Sequence, residues 1–147
     1  MITDSSIEID ASADRVWDVF SDVERWPQWT ASISTLTPLD GPELELGHRF
    51  EIKQPRMPKV VWTVTELEPG GSWTWTTTAP GNVTSATHWV VAEGDGRTLV
   101  KQRIEQNGPI GGLFGLLTRG MTRRYLDMEA KGLKATSEQP RRDASTA

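Results

Sequence analysis

Six strand-like runs follow one another between residues 31 and 106, with only turn chemistry between them. They cover about 31–39, 47–54, 59–68, 72–79, 82–93 and 97–106. The breaks are Asp40-Gly41-Pro42, Gln54-Pro55, Pro69-Gly70-Gly71, Ala79-Pro80-Gly81-Asn82 and Gly94-Asp95-Gly96. Connections this short join consecutive strands as antiparallel hairpins, because a parallel crossover needs a dozen residues or more. A sheet of this extent twists and curls, and its apolar face must be covered.

The cover is found at the two ends of the chain. Ser6 to Asp10 alternates as a first strand. Ser12 suits a helix N-cap, Asp14 complements the helix dipole, and Val16, Phe20 and Val23 repeat at helical spacing. Trp26-Pro27-Gln28-Trp29 reads as a short second helix or tight corner. After Asn107-Gly108-Pro109 a long helix is expected to about Thr136. Arg123, Asp127 and Lys131 stand four apart and form its solvated edge. Phe114, Thr118, Met121, Tyr125, Glu129 and Gly132 fall opposite, with Leu117 and Met128 alongside, and should face the sheet. The expected fold is therefore α+β, a curved seven-stranded antiparallel sheet around a long C-terminal helix, with two short helices after the first strand. One domain is expected over 1–136, followed by a polar, disordered tail over 137–147.

This order is the helix-grip arrangement, and the residues point the same way. The stretch Ile7-Glu-Ile-Asp-Ala-Ser-Ala-Asp-Arg-Val-Trp-Asp-Val-Phe-Ser-Asp-Val-Glu-Arg-Trp-Pro-Gln-Trp29, with the Gly94-Asp-Gly-Arg-Thr98 hairpin, resembles the START-like superfamily. That superfamily includes polyketide cyclase/dehydrase-type, Bet v 1-like and lipid-transfer proteins. The resemblance spans about residues 3–136. It implies binding or transformation of an apolar molecule, and it carries no shared catalytic triad.

Composition excludes several classes. There is no cysteine, so disulfides and thiolate sites are absent. The net charge of −4 argues against a nucleic-acid surface. The two histidines, His48 and His88, belong to different strands and lack ligand spacing, so no metal is expected. The glycines at 108, 111, 112 and 115 form no nucleotide loop, and no cofactor is expected. No run of about 18 apolar residues predicts a membrane span. The first residues lack the basic and apolar regions of a signal peptide, which makes a cytoplasmic location the expectation. A sheet edge or the helix could support a homodimer.

What stands out is seven Trp against three Phe and one Tyr. Large stiff residues suit either a bulky core or the walls of a pocket. Strand alternation turns Phe50, Trp62, Trp75 and Gln102 inward. With Trp29 and the helical residues Leu117, Met121 and Tyr125, these form the expected ligand site. Acid–base candidates are His88, Tyr125 and Glu129. His88 lies on either of two plausible faces, and a hydrogen-bonded structural histidine is the simpler reading. Glu129 is either paired, exposed past the sheet edge, or a buried carboxyl with a raised pKa. Gln102 and Tyr125 could reach solvent instead of a guest. The glycine-rich stretch Gly111 to Gly120 either gates the pocket or packs backbone closely on the sheet. Three functions follow: a carrier of a lipid-like or polyketide-like molecule, a cyclase or dehydratase, or a co-chaperone-like protein-binding module.

Overall fold

A computed structural model of the chain describes residues 1–140. Strand β1 (Ile2–Ile9) is followed by helix α1 (Ala13–Ser21), a 3-10 turn (Val23–Arg25) and helix α2 (Trp26–Trp29). Six strands come next: β2 (Thr35–Pro38), β3 (Arg49–Lys53), β4 (Val60–Glu68), β5 (Ser72–Ala79), β6 (Asn82–Gly94) and β7 (Arg97–Asn107). Helices α3 (Gly111–Leu117) and α4 (Arg119–Glu138) end the described chain.

The seven strands form one antiparallel sheet in the order β1-β7-β6-β5-β4-β3-β2. Every neighbour except the β1–β7 pair is consecutive in sequence, as short turns require. At the β6–β7 turn both Asp95 and Gly96 have positive φ, the geometry that keeps a tight hairpin in step with strand twist. A register shift between Val64 and Glu66 bends β4 against β5. The first strand starts at Ile2, four residues earlier than its alternation predicts, because pairing with β7 runs from Ile2–Glu105 to Ile9–Thr98.

The Ser12 side chain accepts a hydrogen bond from Arg15 N–H and caps α1. Val16 and Phe20 are buried. Trp26 donates its indole N–H to the Phe20 carbonyl at 2.8 Å and stacks on the Phe20 ring at 5.4 Å. This ties the α1–α2 corner together.

The C-terminal helix differs from the single rod that the sequence predicts. It breaks at Thr118, between α3 and α4. It also continues to Glu138, so Ser137 and Glu138 are helical, where the tail was expected to start. The rest of that expected tail, beyond Pro140, lies outside the described residues. The far end of α4 is held by distant partners. Glu138 accepts from Asp10 N–H at 2.8 Å, and Arg15 donates to the Thr136 carbonyl at 3.2 Å. On its outer edge Lys131 pairs with Asp127 at 2.9 Å.

Candidate functional site

A pocket of about 860 Å³ lies between β3–β7 and the inner faces of α3 and α4. The aromatic side chains of Trp26, Trp62 and Trp75 stand in its wall with Ile52, Ile104 and Met121. Arg56, Lys59 and Thr78, all exposed, stand in the lining too, so the pocket opens to solvent there.

Its polar end is made of a few buried groups. Glu129 is 7% exposed. Its carboxylate accepts from Ser32 Oγ at 2.9 Å and from Gln102 Nε2 at 3.1 Å. Both partners are neutral, so burial outweighs them and pushes the Glu129 pKa up from 4.5 to about 7. Gln102 is buried, and its Oε1 has no hydrogen-bond partner.

His88 pairs with Trp73 on one side and Gln102 on the other, in strand register. Its inward face is that of Ala86 and Val90, which are also buried. The ring stacks on Trp73 at 4.0 Å. Burial lowers its pKa from 6.5 to about 3, against the raising effect of its backbone contact. The contact is Nδ1 to the Trp73 carbonyl at 3.3 Å. A carbonyl can only accept, so Nδ1 carries the proton and Nε2 is left as an acceptor. A neutral, stacked, hydrogen-bonded histidine that also lines a pocket combines the two readings of its sequence position.

The predicted site residues separate into two groups. Trp62, Trp75, Gln102, Met121 and Tyr125 line the pocket together with His88 and Glu129. Trp29, Phe50 and Leu117 are not among its lining residues. Phe50 is fully buried with its ring 6.0 Å from Trp75, so inward orientation placed it in the core. Trp29 packs on Trp26 at 5.3 Å and lies over Gly132. Leu117 is 75% exposed and lies with Leu113 and Leu116 on the outer side of α3, while Phe114 of the same helix lines the pocket. Tyr125 gives its hydroxyl to the Pro55 carbonyl, so its donor is already used by the backbone.

Trp26, absent from the expected ligand site, is buried and also stands in the wall. Ser32 was missed altogether. It contacts Glu129 across 97 positions of chain, and no local pattern marks it. Among the described residues no group of three or more His, Asp or Glu could hold a metal ion. Among the described residues no helix is long and apolar enough to cross a membrane.

An open antiparallel sheet gripping a C-terminal helix across a pocket defines the helix-grip class of START-like proteins. Within that class the chain belongs to the family described as polyketide cyclase / dehydrase and lipid transport, whose family model matches residues 2–138. Solved structures share the fold. A START superfamily protein from Mycobacterium smegmatis is 22% identical, with a TM-score of 0.69 over 94% of this chain and 97% of that one. Truncated norcoclaurine synthase from Thalictrum flavum is 15% identical, with a TM-score of 0.76 over 96% and 95%. The di-domain ARO/CYC BexL of the BE-7585A biosynthetic pathway is 18% identical, with a TM-score of 0.68 over 92% of this chain and 45% of that one. No curated protein matches the chain in sequence.

Proposed function

We propose that the protein binds an apolar small molecule, lipid-like or polyketide-like, between the sheet and the C-terminal helix. The observation that carries this reading is the large apolar part of the pocket wall: Trp26, Trp62, Trp75, Ile104 and Met121 around a volume of about 860 Å³, with Glu129, Gln102 and His88 among the buried polar groups that line it. Small-molecule sites share that design, an apolar wall with a few polar groups that fix orientation, in roughly 300–1,000 Å³. The family description, which includes lipid transport, supports the same reading.

The test is native mass spectrometry of the purified protein, followed by extraction of any retained compound and a thermal-shift screen with lipophilic molecules. A retained or stabilising apolar compound is expected, with quenched or shifted tryptophan emission from the wall. Ala86→Trp, which fills the lining, should abolish both effects. A compound-free protein with no shift across the panel would count against the reading.

A cyclase or dehydratase is the second reading, and one observation favours it. Glu129 holds a proton near pH 7 inside the pocket, as a general acid or base must. Given a turnover assay, Glu129→Gln should remove activity while leaving binding. The protein-binding alternative needs an apolar patch without a pocket. Exposed Leu113, Leu116 and Leu117 lie on α3, whose Phe114 lines the pocket, so the apolar patch and the pocket belong to the same helix.

A further inference from the structure

We propose that Glu129 and Gln102 act as a proton-controlled selector at the polar end of the pocket, taking a hydrogen-bond donor from the ligand when Glu129 is ionised and an acceptor when it is protonated. This deepens the apolar-ligand reading and rests on it.

The argument starts from an amide that is satisfied on one side only. Gln102 is 3% exposed, and its Nε2 donates to Glu129 Oε1 at 3.1 Å while its Oε1 finds no partner in the protein. A buried acceptor without a partner is costly, and a ligand donor would satisfy it. The two ends of a side-chain amide have nearly the same shape but opposite polarity. An ionised Glu129 can only accept, so it holds the Nε2 end and leaves Oε1 free. A protonated Glu129 can donate. It then favours the Oε1 end, and the amide turns over to leave Nε2 as the free group.

The other groups around Glu129 do not take part in the exchange. From α4, Tyr125 gives its hydroxyl to Pro55. From β6, His88 is neutral and keeps Nδ1–H on the Trp73 carbonyl. Ahead of β2, Ser32 bonds Glu129 and is itself bonded to Thr30 Oγ1 at 2.9 Å. From β7, Gln106 is buried on the same strand face as Gln102. The cations of the lining, Arg56 and Lys59, are exposed, and no ion pair to Glu129 forms among the described residues. The carboxyl therefore titrates by burial against two neutral hydrogen bonds, with its midpoint near neutrality. The ligand class that fits is an apolar body with one polar end. A cationic amine suits the ionised state, and a carbonyl compound suits the protonated one.

Two probes separate these states: dodecylammonium, which only donates, and 2-dodecanone, which only accepts. Each is titrated against a bound naphthylamine fluorophore between pH 5.5 and 8.5. The ammonium affinity should rise with pH, by up to about tenfold per unit below the Glu129 midpoint, and the ketone affinity should fall as pH rises through that midpoint. Glu129→Gln should flatten both. If that variant does not fold, the side-chain amide resonances of Gln102 in the wild-type chain should still titrate with the carboxyl. A pH-dependent ammonium with a flat ketone would overturn the selector. It would mean that charge alone acts, with the proton carried toward Ser32 and the amide fixed. Unmoving Gln102 resonances would overturn it too. Failure of both probes to displace the fluorophore at any pH would instead overturn the apolar-ligand reading beneath it.

Discussion

Burial moves two titratable groups of the pocket, Glu129 and His88, in opposite directions. Glu129 is raised to about 7, so the folded protein holds its proton more firmly than the unfolded chain. The stability this contributes is full below 4.5 and is lost as pH rises through about 7. The shift corresponds to about 3 kcal/mol. Glu129→Gln, which keeps the neutral shape, should match the wild type near pH 4 and exceed it by up to that amount at pH 8. Urea unfolding at the two pH values measures this, and equal stabilities at pH 8 would contradict it. His88 runs the other way. Its pKa falls to about 3, so its contribution is present above 6.5 and is lost as pH falls through about 3. His88→Phe keeps a ring on Trp73 and should flatten the acid limb of the thermal midpoint between pH 3 and 6. An unchanged limb would show that other groups govern it.

At the scale of elements, the glycines of the C-terminal helices do different jobs. A Cβ on Gly132 would clash with the Trp29 carbonyl oxygen, so the glycine is what lets α2 and α4 approach so closely. Gly132→Ala should therefore destabilise by about 1–3 kcal/mol, read as a lower unfolding midpoint. In α3, Gly111 and Gly115 are crowded by Asn82 and Gln106, whereas Gly112, and Gly120 at the start of α4, face open space. Gly112→Ala should stabilise by about 1 kcal/mol, because only helix propensity changes. A loss there would mean that α3 needs its glycine freedom. The helix has no side-chain cap, and Ile110, Leu113, Leu116 and Leu117 are exposed. Its amides should exchange faster with solvent than those of residues 121–133 in α4. Equal protection would count against any gating by this segment.

The whole molecule combines these contributions into one pH response. Between 4.5 and 6.5 the Glu129 and His88 slopes oppose each other, so their sum should be nearly flat. A chemical-denaturation series across that window tests it, and a steep monotonic change in the Glu129→Gln variant alone would confirm that the wild-type plateau is a cancellation. At this scale the legibility of the chain divides by distance. The strand bounds of β4, β5, β6 and β7 agree with the hydrophobic alternation and turn residues to within about a residue. Trp62 and Trp75 were found by alternation because each strand presents its faces locally. Phe50 passed the same test and still sits behind the wall, since facing inward says nothing about how deep the pocket reaches. Leu117 stands at helical spacing from Phe114 and Met121, yet it shares the exposed side of α3 with Leu113 and Leu116.

The linear order of apolar, polar and turn residues was enough to determine the antiparallel sheet, the capped α1, the tight Trp26–Trp29 corner and the helix that completes the grip. Those features depend on neighbours within a few residues, where spacing and backbone preference act. The state of Glu129 and His88 was decided only by the tertiary structure. A carboxyl becomes a proton holder near neutrality when Ser32, 97 positions away, and Gln102, 27 positions away, meet it out of water. Burial of that kind is a property of the packed whole, and no spacing along the chain encodes it.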